Sequence, residues 1–432
     1  MKGKEIVLLI LIIVAGVIFY YGQTGKFHFG LNWEDDFFFT GEEYTYEETQ
    51  VVEPPLAARL QLTNAHGDVE FQGTDEERVT ITLQKKIWRR TEEQAKEVSD
   101  RLHMTINKGD LLLKVSTNRT DFKRRNFETH FRLRLPKSMA VEVENSHGTA
   151  KIAQVKSVSL VNSHGKVSIS DIAGDVTAEN SYEDVEVENI RGNCQVDSRH
   201  SSVFVSDVQG KAKIDHAYGN IRLESISQPV EVRSSHSQLY GQGLAAGVDS
   251  EGSYEKLTLI DVGPSKIWGH HWDVEVEDAR DNLYIKNSYA VVRVSDLKGN
   301  LTVDGRNVEI FANKVVANEI QLTSSYENIE LAEFSGKTTI SLAHGGLILK
   351  PMALTQPIEV RDVYSDITLY WPAQDRYPFE GQVRGGSIDW TLLEKPDSRH
   401  ENGLTTLRAF GSERDKPSIL LSTTYGDIRI ER

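Results

Sequence analysis

The sequence predicts an all-β fold, a two-sheet β-solenoid of about 18 residues per coil, on three observations. Apolar residues recur every nine positions. Alternate nonapeptides differ, which lays a period of 18 over the period of nine. Gly, Ser, Asn and Asp gather between the apolar alternations, where turns are made, and helical periodicity is nearly absent.

Cut in nines from Lys166, the chain reads KVSISDIAG, DVTAENSYE, DVEVENIRG, NCQVDSRHS, SVFVSDVQG, KAKIDHAYG, NIRLESISQ, PVEVRSSHS, QLYGQGLAA, GVDSEGSYE and KLTLIDVGP, without a gap to Pro264. The second position is apolar in every one, from Val167 through Cys194 to Leu257. At this hydrophobic content such a run arises by chance with a frequency on the order of 10⁻⁴. The fourth position follows closely (Ile169, Val187, Val196, Val205, Ile214, Leu223), so each nonapeptide holds a short alternating strand and a polar turn. Such a unit cannot bury its own apolar strip and must stack on its neighbours. Cys194 falls on an inward position and is expected to be a small core residue.

Taken from the N-terminus, residues 1–5 read as a cytoplasmic tail and 6–22 as a transmembrane signal anchor. Ile6 to Tyr21 is one uncharged apolar run, preceded by Lys2 and Lys4, with Tyr20 and Tyr21 suited to the interface. A cleaved signal peptide shares these features, but no small-x-small site follows. The expected location is therefore the cell membrane, single-pass, with the N-terminus cytoplasmic and the C-terminal domain extracytoplasmic. Residues 23–55 form an acidic linker, in which Glu34, Asp35, Asp36, Glu42, Glu43, Glu47, Glu48 and Glu53 oppose Lys26. Residues 56–140 are an N-terminal β-rich cap with one helix candidate, TEEQAKEVSDRLH, N-capped by Thr91. Solenoid repeats occupy 141–371, where some 12 to 13 coils fit. Residues 372–432 are a C-terminal insertion and a capping coil, SILLSTTYGDIRIER, which closes the stack.

The formal charge of -15 argues against a nucleic-acid partner. One cysteine among 432 residues provides neither a disulfide framework nor a thiolate zinc site. No catalytic or phosphate-cradling motif and no dinucleotide fingerprint occurs, so no catalytic, cofactor-binding or metal residue is assigned, and no cofactor is expected. Asp171, Asp207, Asp261 and Asp296 recur at turns, but the paired glycines and aspartates of a calcium β-roll are missing.

Two sets of residues could bind or stack. His147, His164, Tyr182, His200, Tyr218, His236, Tyr254 and Trp272 recur once per coil, as a stacked corner or as a groove for sugars, metal or protons. The second set, Lys85, Lys86, Arg89, Arg90, Lys123, Arg124 and Arg125, belongs to a stretch from Ile81 to Ala140 that carries fifteen basic and seven acidic residues. Its charge of +8 leaves -23 for the remainder, so contact with anionic lipid or an anionic wall polymer is expected there.

The phrases LTNAHGDVEF, VENSHGTAKI, LVNSHGKVSI and STTYGDIRI, after a single N-terminal membrane segment, resemble the adhesin-domain family of bacterial envelope proteins, which includes LiaG-like membrane-anchored proteins. The resemblance covers about Leu56 to Arg432 and includes the split start with its helix-containing insertion ending in LRLPK. It implies the fold and an envelope location, and carries no catalytic residues. The chain departs from shorter members by its many coils. The function expected is non-enzymatic: a membrane-anchored envelope solenoid serving adhesion, scaffolding or envelope-stress related interaction, with the protein partner unspecified. The alternative is a parallel β-helix enzyme acting on polysaccharide, which would break repeat regularity at one site. Such breaks occur near Gly269 to Asp273 and in the late insertion, where Arg384, Asp389, Trp390 and His400 are the local candidates.

Overall fold

A computed structural model describes residues 41–372, 376–411 and 416–432. The expected cytoplasmic tail, the anchor and the linker as far as residue 40 lie outside the described residues, and none of the described helices is long and apolar enough to cross a membrane. The described chain falls into two compact units.

The first unit takes residues 41–46, 85–103 and 117–128. Its helix, Glu92–Arg101, begins where expected, with the Thr91 hydroxyl accepting from the Gln94 amide. Glu92 and Glu93 in the first turn and Arg101 in the last complement the helix dipole. Ala95 and Leu102 bury against Ile87, Phe122 and Phe127, forming a small core of their own. The Arg119 guanidinium lies 4.6 Å over the Phe127 ring and donates to the Phe127 carbonyl at 2.9 Å, which fixes the loop carrying Lys123, Arg124 and Arg125.

The second unit, residues 47–84, 104–116 and 129–432, is the solenoid, of about 13 turns. Coils pair in parallel and in constant register. Ala140–His147 lies beside Ser157–His164, which lies beside Val176–Asn180; Ala150–Ala153, Val167–Ile172 and Val185–Ile190 build the second sheet in the same way. From Cys194–Val208 onward both strands of a coil run through the corner as one bent strand. Inward positions form apolar rows such as Val185, Val203, Ile221, Leu239 and Leu257, each at most 2% exposed. Burying one such side chain is worth about 1.5–3 kcal/mol.

At both ends of the solenoid the pairing order departs from chain order. Arg59–His66 and Val69–Thr74 pair with 140–147 and 150–153 on one side, and with Leu112–Thr117 and Phe127–Pro136 on the other. At the other end Ile358–Tyr370 pairs directly with Ile419–Thr424 and Ile428–Glu431, while Phe379–Arg384 and Ile388–Trp390 lie beyond them. At the C-terminal end the chain builds the outer layer first and then returns beneath it; at the N-terminal end it builds the inner layer 59–74 first, crosses to the outer layer, and then passes back beneath both. The antiparallel strands Leu404–Ala409 and Asp397–Glu401 complete the C-terminal edge. An antiparallel rim cannot continue the parallel stack, which protects the edge from further pairing.

Three expected boundaries change accordingly. Regular stacking starts at Arg59, within the segment read as a cap. Residues 42–52, read as linker, are a strand in which exposed and half-buried residues alternate. The C-terminal phrase from Ser418 is the penultimate layer, since a strand order based on sequence order misses the return beneath the insertion.

Candidate functional site

Two rows of side chains at one corner of the solenoid set the geometry. The inner row begins with amides. Asn64 donates to Asn145 at 3.2 Å, Asn145 to Asn162 at 3.2 Å and Asn162 to Asn180 at 3.4 Å, while each also donates to a backbone carbonyl three residues on. The turn is thereby closed within each coil and tied to the next.

The outer row is the aromatic ladder. His66, His147, His164, Tyr182, His200, Tyr218, His236 and Tyr254 stack with ring centroids 4.4–5.9 Å apart and planes within 19° of parallel. His271 and Tyr289 continue it with a tilt; after an interruption at Asn307 it resumes through Tyr326, His344, Tyr364 and Tyr425. The tyrosines are 46–62% exposed, so the row faces solvent. Within each run the ring faces are covered by neighbouring rings and edges are offered outward, an arrangement that holds the coils in register.

Trp272 does not belong to the ladder. It is fully buried, and His271 takes the corner with φ +55°. The turn after Val262 has lost a residue: Leu257 faces Val274 and Val262 faces Ala279, a spacing of 17 in place of 18. Counting at 18 across Gly263-Pro264 therefore names the wrong residue, and the slip lies several residues before the Gly269 to Asp273 stretch where the altered phrase shows. His66, His271, Tyr289, Tyr326, His344, Tyr364 and Tyr425 were not singled out in sequence. The phrases NAHG, NSYA, SSYE, LAHG and TTYG carry the signal for five of them.

The ladder forms one side of an open axial groove of about 880 Å³. Along it run three rows in register: Asp197, Asp215, Arg233, Glu251, Trp268, Lys286; then Ser198, His216, Ser234, Gly252, Gly269; then Arg199, Ala217, Ser235, Ser253, His270. The middle row continues the line of the asparagine ladder with Ser198, His216 and Ser234 and then with glycines. Gly252 is required there, because a Cβ would lie 2.7 Å from the Trp272 indole. The Ser234 hydroxyl and the His216 Nε2 are buried without a hydrogen-bond partner. Burial pushes the His216 pKa down against the opposing pull of the Ser198 and Ser201 carbonyls, which favours the neutral ring.

At the opposite corners Asp171, Asp207, Asp261 and Asp296 hold φ of +54 to +58°. That left-handed conformation favours Asp, Asn and Gly, which accounts for their recurrence without any ion. No group of three or more His, Cys, Asp or Glu suited to a metal occurs among the described residues.

The basic set divides. Lys85 is buried and donates to the Ser99 carbonyl, Lys86 is half-buried, and Arg89 donates to the carbonyls of Trp88 and Asn126. Burial, with Arg124 nearby, lowers the Arg89 pKa. Arg90, Lys123, Arg124 and Arg125 are exposed. The Trp88 amide bonds to the Asn126 carbonyl, so the strand end and the basic loop are neighbours within the first unit. The late candidates serve the C-terminal cap. Trp390 packs on Trp371, Phe379 and Phe410, Asp389 lies 3.9 Å from Arg429, Arg384 reaches the Asn402 carbonyl and His400 reaches Thr405.

A family model described as Toastrack DUF4097 matches residues 57–236. This stretch, less than half of the chain, is similar to Toastrack domains. The match falls within the part of the chain that carries the repeat phrases NAHG, NSHG and NSYE. No curated protein matches the chain. A solved structure, a "putative cell adhesion protein" from Clostridium sporogenes, aligns over 90% of this chain and 99% of its own at 10% identity, with a TM-score of 0.17, too low to compare the folds. The matched stretch includes the asparagine ladder, the basic loop and the first coils of the groove.

Proposed function

We propose that the protein is a non-enzymatic component of the bacterial cell envelope, held in the membrane by residues 6–22, whose Toastrack-like solenoid presents a recognition surface for adhesion or scaffolding. The observation that supports this reading best is the placement of charge in the groove. Asp197, Asp215 and Glu251 lie in one row along a single wall. Hydrolysis of a glycosidic bond calls for two carboxyl groups flanking the scissile bond from opposite faces. A row along one wall suits binding to an extended ligand.

The exposed basic loop of the first unit supports a second contact, with anionic lipid or wall polymer, through Arg90, Lys123, Arg124 and Arg125. Sedimentation of the full chain, reconstituted in neutral nanodiscs, with vesicles containing phosphatidylglycerol or with teichoic acid-bearing wall tests it. Association is expected to weaken with salt and to fall at least tenfold in Arg124→Glu/Arg125→Glu. Equal binding by parent and variant removes the basic contact from the account.

A further inference from the structure

We propose that the axial groove between Asp197 and Lys286 binds an uncharged glycan chain, with the Trp268 indole as its stacking platform. The inference rests on the reading of the solenoid as a recognition surface and names the ligand class.

The groove is opened by local chemistry. Asparagines fill the inner corner row up to Asn180; from there it runs Ser198, His216 and Ser234 and ends in Gly252 and Gly269, where the side chains are lost, and Trp272 has turned inward beneath Gly252. The floor offers backbone and the half-buried Ser235 and Ser253, and the Ser234 Oγ is buried beneath it without a partner. The walls carry Asp197, Asp215 and Glu251 against Arg199, Arg233 and Lys286, so the formal charge is zero once histidines are counted neutral. A polyanion or polycation would meet as much repulsion as attraction there. Vicinal hydroxyls, which both donate and accept, suit carboxylate and guanidinium groups interleaved along one channel.

Trp268 supplies what rings inside the ladder lack. It is 42% exposed and leans at 50° on Tyr284 with centroids 5.3 Å apart, so its face is not covered by a parallel ring. An open indole face beside hydrogen-bonding groups fits the C–H face of a pyranose. The rows repeat at the strand spacing of about 4.8 Å, close to the advance of one sugar along an extended β-linked chain. A linear glycan lying along the axis therefore meets about one coil per sugar residue, with a different side chain of each row at each step.

Calorimetry on the full chain in phosphatidylcholine nanodiscs decides the matter, with cellohexaose, chitohexaose and hexagalacturonate as probes. At least one neutral hexasaccharide is expected to bind, Trp268→Ala to weaken it at least tenfold, and Ser253→Trp, which fills the groove, to abolish it. Arg124→Glu/Arg125→Glu leaves this binding unchanged. Failure of both neutral probes, binding of hexagalacturonate alone, or parent-like affinity in Trp268→Ala overturns the inference. If the parent still pellets with cell wall in those cases, the recognition reading stands without it. Trp268-dependent binding accompanied by new reducing ends supports the groove and overturns the non-enzymatic reading.

Discussion

At the scale of single residues, the solenoid interior decides what a side chain can do. Cys194 is 1% exposed, and burial alone pushes its thiol pKa up to about 12. A thiol that does not ionise is a core atom, so Ellman's reagent at pH 8 is expected to modify Cys194 only as the protein unfolds in denaturant; stoichiometric labelling of the native chain would contradict this. Asp362 is the interior's anomaly. It sits in register between Leu342 and Thr423, accepts from the Leu342 amide through Oδ1, leaves Oδ2 unpartnered and has its pKa raised by burial to about 7. Its carboxyl holds a proton more tightly folded than unfolded. The group therefore costs nothing below about pH 4, and stability declines as pH rises toward 7, by a total on the order of 4 kcal/mol. Asp362→Asn is expected to melt above the parent at pH 8 and with it at pH 4; equal melting at both pH values would show that the carboxylate is accommodated.

At the scale of elements, the corner rows hold the coils in register. Periodicity of nine made the strands, the inward rows and most of the aromatic ladder legible, because each depends on identity at a fixed spacing. The asparagine ladder was equally present in the phrases NAHG, NSHG and NSYE, but its hydrogen bonds run between coils and become visible only when coils are stacked. Trp272 was misplaced for a simple reason: one residue is missing from the Gly263-Pro264 turn, and an aromatic residue still falls at the counted position. The interleaved ends were illegible because pairing order there differs from chain order. Gly252→Ala tests the packing of the short coil. Its Cβ would press on the Trp272 ring, and a loss of about 1–3 kcal/mol in chemical denaturation is expected. Tyr218→Ala should cost about 1–2 kcal/mol, since it removes stacking on both His200 and His236 at 4.9 and 5.0 Å. Neither loss would be seen if the corner rows were passive decoration.

At the scale of the molecule, charge and repetition divide the work. The first unit exposes a basic loop, the solenoid carries the ladder and the groove, and an apolar run at residues 6–22 is expected to hold both at the membrane. The alternating strands announce the solenoid plainly, whereas the groove could not be found in sequence, because serine and glycine in a repeat read as ordinary turn residues until neighbouring coils place them in one row. The most direct measurement incubates the full chain in nanodiscs with isolated peptidoglycan bearing teichoic acid, then assays the pellet for protein and the supernatant for reducing ends. The account predicts protein in the pellet and no reducing ends above the wall-only control; protein left in the supernatant, or reducing ends that accumulate with time, would contradict it.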